Sequence, residues 1–328
     1  LKASSKASSL KVNHSQVECA TEGSRLELRA GDVVAGFDMG QGRLQSLGAK
    51  QLGTRSLITR GPELHLWRAP TDNDGIKILG IVQGKALGRW REWGLDTLRV
   101  ELDHAKQTTH RDGSIRVAFR HVAFAGDAKL EIAHQQLWRL AANGHLTLKS
   151  TVIIPARFDD LPRVGVRLSV ASGLDRLQWL GHGPHETYCD RNRGAEIGMW
   201  SSAVADQYVP YIVPQAHGNH TASRWLSLRD ASGAGLMVTG KEHFDFSASH
   251  YRDEELSEAT HTCDLVARDD VTLCLDTAQR GLGGASCGPD TLAQYRVGAG
   301  RFVSNFSFVP LLADQREATV ALELKSES

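Results

Sequence analysis

The sequence predicts an all-β protein, a large antiparallel sandwich of two sheets. Three observations carry that expectation. Apolar and polar residues alternate with a period of two in segment after segment, turn-forming clusters separate those segments, and helical periodicity is sparse. A strand projects successive side chains to opposite faces, so such alternation describes strands with one face in a core and one in water.

Taken in chain order, the alternation appears at Leu98, Val100 and Leu102, then at Ile115, Val117 and Phe119. It returns at Leu146 and Leu148, and is clearest at Val164, Val166, Leu168 and Val170, which interleave with Arg163, Gly165, Arg167 and Ser169. That last segment is expected to be a half-buried strand with its polar set in solvent. Leu177 with Trp179, the aromatic-rich residues 302–308, and Val320, Leu322 and Leu324 complete the strand signals. Turn clusters fall between them at residues 110–113 (HRDG), 142–144 (ANG) and 230–235 (DASGAG). Residues 85–93 suggest two or three helical turns and residues 253–258 one more. No strand and helix alternation of the parallel-barrel kind is present.

The chain has 328 residues, with 38 Lys and Arg against 38 Asp and Glu. Zero formal net charge and the lack of a basic stripe argue against a nucleic-acid partner. Apolar runs such as residues 151–155 fall far short of the roughly 20 residues that span a bilayer, so no membrane association is expected. Five cysteines, Cys19, Cys189, Cys263, Cys274 and Cys287, include no Cys-x-x-Cys pair and suggest reduced thiols in the cytoplasm. Residues 1–24 read as a linker or the edge of a preceding domain, and residues 25–328 as one sandwich domain without an internal linker.

Three polar, glycine-containing segments are the candidate functional loops. In residues 67–75 (WRAPTDNDG), Pro70 sets a turn and Asp72, Asn73 and Asp74 crowd acceptor oxygens before Gly75. A calcium loop fails on spacing, because Pro70 would be its first ligand position and Ile81 its twelfth. In residues 181–191 (GHGPHETYCDR), Gly181, Gly183 and Pro184 force an irregular backbone. Glu186, Tyr188, Asp190 and Arg191 then supply a carboxylate, a phenol and an ion pair, while His182, His185 and Cys189 match no common zinc spacing. In residues 281–290 (GLGGASCGPD), glycines surround Ser286 and Cys287 without the Lys and helix of a phosphate loop, and no local base activates the thiol. His217 and His220 flank Gly218 and Asn219, which read as a turn rather than a metal-binding helix.

The order of these segments, RAPTDND with Arg68 and Pro70, then GxGPxExYxDR, then YVPYIVP at 208–214 followed by His217 and Asn219, then HFDFSAS at 243–249 and the glycine-rich turn, resembles the C-terminal small-chain domain of family 2 β-galactosidases. The resemblance covers nearly the whole chain. It implies a galactose-mutarotase-like supersandwich, in agreement with the strand pattern. It also implies that the two catalytic glutamates, which a retaining glycosidase holds about 5–5.5 Å apart, lie on a parallel β/α barrel that this chain lacks. The chain is therefore expected to be a non-catalytic portion of a β-galactosidase that hydrolyses terminal β-D-galactosides. The Leu start and the Ser/Ala/Lys lead favour a fragment of something longer.

From the same resemblance, the partner is the catalytic barrel of an oligomeric parent enzyme. Cofactors are expected to be none in this chain, with any Mg or Na on the parent's other domains. Two loops would reach the β-galactoside: the loop after RAPTDND, with Asp72, Asn73, Asp74 and Gly75, and the turn carrying Ser286 and Cys287. The best-known relatives place a Trp where this sequence has Cys287, in a turn one residue shorter, which removes a stacking surface. Two alternatives stay open on sequence. One is a free-standing carbohydrate-binding sandwich with Trp67, Trp90, Trp93, Trp200 or Trp225 as a platform. The other is a mutarotase-type epimerase pairing His217 as acid with Glu186 as base.

Overall fold

The computed structural model describes residues 16–53, 55–125 and 128–326. Its strands, in chain order, are β1 (Glu18–Glu22), β2 (Arg25–Ala30), β3 (Val33–Asp38), β4 (Arg43–Ala49), β5 (Ile58–His65), β6 (Leu98–Thr109), β7 (Ile115–Ala125) and β8 (Ala128–Leu140). They continue as β9 (Leu146–Ile154), β10 (Arg163–Val170), β11 (Arg176–Gly183), β12 (Glu196–Ala203), β13 (His220–Arg229), β14 (Gly235–Ser249), β15 (Val271–Gln279) and β16 (Gly300–Leu311). Among the described residues three α-helices accompany them: α1 (Ala86–Glu92), α2 (Asp253–Glu258) and α3 (Glu317–Ser326).

All pairings are antiparallel, and they build the expected sandwich. Strands β1 to β4 form a four-stranded meander. The larger sheet runs β12-β11-β13-β14-β16-β9-β8-β7-β6, and β14 divides it. Residues Gly235 to Gly240 of β14 pair with β16, whereas Asp245 to Ser249 pair with β15, which leads on to β10 and β5. One apolar core joins the two sheets, with Leu26, Leu28, Phe37 and Leu44 of the meander packed among residues such as Trp138, Leu168, Leu226 and Phe308. A second core, including Trp67, Leu87, Trp90, Phe158 and Leu161, lies beneath α1 and supports the loops.

Three expectations need correction. Pairing begins at Glu18, and Val17 is already buried, so the folded unit starts before Arg25; residues 1–15 of the expected linker lie outside the described residues. Strand β10 is not half-buried. Its apolar set faces the core as expected, but Arg163 and Ser169 on the other side are buried too, because β10 lies between β5 and β15 with α2 over its polar face. Val320, Leu322 and Leu324 belong to α3, not to a strand. Val320 and Leu324, four apart on a helix, pack towards Trp225, Met237 and Leu311, while Leu322 stays exposed.

Candidate functional site

The segment after β5 folds back because of a buried ion pair. Arg68 grips Asp74 through two parallel bonds, Nη2 to Oδ1 at 2.6 Å and Nε to Oδ2 at 3.1 Å, and both side chains are fully buried. The Thr71 amide and hydroxyl also donate to Asp74 Oδ2, each at 2.9 Å. The other edge of Arg68 reaches the glycine-rich turn, donating to the carbonyls of Arg280 at 2.6 Å and Gly281 at 3.3 Å. Arg280 in turn holds Asp160, Asp290 and Thr291. Both guanidiniums lie over the Trp90 ring, at 5.4 and 6.0 Å. Asp74 therefore has no free acceptor for a sugar, and Gly75 is also buried, where an added Cβ would stand 3.0 Å from Leu87 Cβ. Both residues are buried in this chain and shape the loop, where the expectation had them exposed to reach the β-galactoside. Pro70 is buried at the same bend.

Asn73 points the other way and joins two loops. Its Nδ2 donates to the Gly283 carbonyl at 2.9 Å, and its Oδ1 accepts from the Ser286 amide at 3.0 Å. Asp190 holds the same turn from the opposite side, accepting from the amides of Leu282 at 2.9 Å and Gly283 at 2.7 Å. This contact explains Gly281, where an added Cβ would lie 2.5 Å from the Asp190 carboxyl carbon. Held at both shoulders, the turn presents Ser286 and Cys287 to solvent beside the exposed Asp72.

Residues 181–191 brace this arrangement. Gly181 and Gly183 sit so close to Ser223 and Trp200 that a Cβ would clash with either. Glu186 accepts from the Tyr211 hydroxyl at 2.7 Å, the Gly218 amide at 2.8 Å and Arg191. Burial tends to raise the Glu186 carboxyl, but these three donors outweigh it and hold the group below its ordinary value. Arg191 also covers the buried Tyr188 ring at 5.3 Å, and Pro184 follows Gly183 through a cis bond. His217 Nδ1 lies 2.8 Å from the Gln215 carbonyl, and Asn219 Nδ2 donates to Thr187 O at 2.8 Å.

A second polar cluster escaped the sequence reading. Arg163 donates to both oxygens of Asp276 and, at 3.3 Å, to Asp253 Oδ2, which also lies 3.2 Å from His65 Nε2. The only available signal was the polar set of β10, which alternation alone assigned to solvent. Among the described residues, His65, Asp253 and Cys274 bring one donor atom each within 4.8 Å of one another, as a metal site would. The chemistry opposes a cation there. Arg163 already occupies Asp253 and sets a guanidinium charge against the cluster, and burial pushes the Cys274 thiol up to about 12 in the metal-free chain. The cavity beside this cluster, lined in part by Arg163, His217 and Asn219, measures about 20 Å³. That volume suits a water molecule and is too small for a hexose. Glu186, committed to its three donors, is not on its wall.

The surface around the site is apolar in part. Ile78, Leu79 and Ile81 are exposed in the loop after Gly75, and Ile212 is 92% exposed. Trp67, by contrast, is buried, as are Arg68, Ala69 and Pro70, so residues 67–70 are interior and Trp67 offers no platform. Trp90 and Trp225 are also buried and offer no platform. Lys77 ties the exposed loop down by donating to the carbonyls of Leu256, Ser257 and Ala259 at the end of α2.

Comparison with known proteins places this geometry in a family. A β-galactosidase from Aeromonas hydrophila is 33% identical over 274 residues, covering 79% of this chain and 24% of that protein. One from Priestia megaterium is 28% identical, covering 92% of this chain and 28% of the relative, and one from Kluyveromyces lactis is 28% identical with 81% and 25% covered. The chain thus spans about a quarter of the length of these relatives. A solved Escherichia coli K12 protein described as an aldose 1-epimerase overlays with a TM-score of 0.43 at 11% identity, covering 87% of this chain and 98% of that one. The family model for the β-galactosidase small chain matches residues 29–309, a stretch that contains both clamped loops and every residue that holds them, and the chain therefore belongs to the β-galactosidase small-chain family.

Proposed function

We propose that this chain is the accessory C-terminal part of a retaining β-galactosidase acting on terminal β-D-galactosides. It packs on a catalytic barrel that carries the two glutamates and lends two loops to the substrate site. The observation that carries this reading is the double clamp: Asn73 and Asp190 fix a glycine-rich turn from both sides while its tip stays exposed. A turn held this firmly by the chain's own side chains is suited to positioning, because misplacement by about 1 Å can cost on the order of 100-fold in rate. Asp72, Ser286 and Cys287 are the residues left free to meet a sugar, with Cys287 on the leaving-group side. Ile78, Leu79, Ile81 and Ile212 form the face offered to the barrel.

The chain alone is expected to be inactive, since positioning without two carboxylates supplies neither acid/base nor covalent catalysis. The parent enzyme is oligomeric in this reading, with any Mg or Na held by its other domains, and works in the cytoplasm, where the five unpaired thiols suit a reducing environment. Among the described residues no helix is long and apolar enough to cross a membrane. Against the epimerase alternative stands the engagement of Glu186, its expected base, by the Tyr211 hydroxyl, the Gly218 amide and Arg191. The test is hydrolysis of an aryl β-galactoside by the chain alone and after addition of the missing portion. Enzyme-like turnover by the pure chain, or no association with the barrel portion, refutes the proposal.

A further inference from the structure

The outer face of the large sheet, on the side covered by α3, holds a trough of about 690 Å³ that the proposed function does not use. Its floor follows one row of directly paired residues across eight strands. Met199, Leu180 and Trp225 open the row on β12, β11 and β13. Thr239, Ser307 and Thr147 continue it on β14, β16 and β9. Arg139 and Arg116 close it on β8 and β7. Polarity therefore rises along a single line, from apolar through hydroxyl to guanidinium. At about 4.8 Å per strand, the four intervals from Trp225 to Arg139 span about 19 Å.

The apolar end is walled by Leu322 and Leu324 of α3. The other end carries an excess of positive charge. Arg116 and Arg139 face each other directly across a strand pair, an arrangement that is destabilising unless something anionic lies between them. Asp112 takes one edge of Arg139 at 3.0 Å, but among the described residues Arg116 has no carboxylate within 4.0 Å. Lys149, Lys241 and Arg224 add positive charge to the rim, and no described acidic residue lines the trough.

We propose that this trough binds a single-headed anionic amphiphile, a long-chain carboxylate. Its chain lies along Met199, Leu180 and Leu322 at the apolar end, and its carboxylate bridges Arg116 and Arg139. The volume falls in the range of roughly 300–1,000 Å³ typical of sites that enclose such ligands. A single line of graded polarity fits one unbranched chain better than a protein surface, whose charges would be spread on both sides.

The experiment is calorimetric titration of the protein with dodecanoate below its micellar concentration, with decanoate, dodecanol and dodecyltrimethylammonium alongside. Saturable binding of one dodecanoate per chain is expected. Decanoate, shorter by two methylenes, should bind roughly tenfold more weakly, and the cationic amphiphile should not saturate. Arg116→Glu should weaken dodecanoate at least about tenfold, while Arg116→Lys keeps most of the affinity. Leu322→Glu, at an exposed position, tests the apolar end and should also weaken it. Equal binding of the cationic and anionic amphiphiles overturns the proposal, as does indifference to both Arg116→Glu and Leu322→Glu. A change of oligomeric state in Arg116→Glu without saturable dodecanoate binding would show that a second protein copy covers the face, and would overturn it too.

Discussion

Replacing Asn73 by Ala should separate positioning from stability more sharply than any other change in this protein. The substitution removes two hydrogen bonds that link the loop after β5 to the glycine-rich turn, one donated to Gly283 O and one accepted from Ser286 N. Both lie at the surface, so water replaces the lost partners and each is worth about 0.5–1.5 kcal/mol, giving a loss near 2 kcal/mol. Its neighbour Asp74 supplies the contrast. Asp74→Ala would strand the buried guanidinium of Arg68, with Arg280 Nη1 only 3.5 Å from the vacated carboxylate, and should cost about 3–5 kcal/mol. Urea denaturation of the chain measures both losses, and hydrogen exchange should show faster exchange at the Ser286 amide in Asn73→Ala. In the assembled enzyme, activity per folded molecule should fall on the order of 100-fold for Asn73→Ala. A stability loss for Asn73→Ala as large as that for Asp74→Ala, with activity per folded molecule unchanged, would refute the reasoning.

Gly281→Ala should destabilise the chain by about 1–3 kcal/mol, because its Cβ meets the Asp190 carboxylate that anchors the turn; a denaturation midpoint equal to the parent's would contradict the clamp. Cys287→Ser should leave hydrolysis by the assembled enzyme nearly intact, since no nucleophilic role is assigned to the exposed thiol. Cys287→Trp should favour aromatic leaving groups by roughly 0.5–1.5 kcal/mol, read as KM against kcat for aryl galactosides. Burial, with a lesser contribution from His121, depresses buried His134 to about 3, so the folded state stays neutral there while the unfolded state binds a proton below about 6.5. Stability should therefore decline as pH falls from about 6.5 towards 3. His134→Gln should reduce that slope by up to about 1.4 kcal/mol per pH unit, and parallel stability curves for the two proteins would count against a neutral buried imidazole.

Local periodicity determined six of the sixteen described strands on its own, β6, β7, β9, β10, β11 and β16, because a two-residue repeat has only one way to place an apolar face against a core. It carried Leu146 and Leu148 into β9 and Leu177 and Trp179 into β11 without knowledge of their neighbours. The loop composition likewise marked the segments that converge on the site, since glycine and Asx residues are needed wherever backbone must approach backbone or cap a turn.

Tertiary structure decided what alternation cannot encode. Three apolar residues at 320, 322 and 324 satisfy strand and helix templates alike, and the contact of Val320 with the core around Trp225 settles the helix. Arg163 and Arg167 looked solvent-facing until α2 closed over β10 and supplied Asp253 and Glu254 as partners. Asp72 and Asp74 are the same residue type two positions apart, yet one is exposed and the other is fully buried. The difference arises from Arg280, more than 200 residues further along the chain, whose carbonyl accepts from Arg68 and so orients the guanidinium that Asp74 must neutralise. Such a partner is chosen by strand topology and by the high cost of burying an unpaired charge, and neither is written in the residues around Asp74.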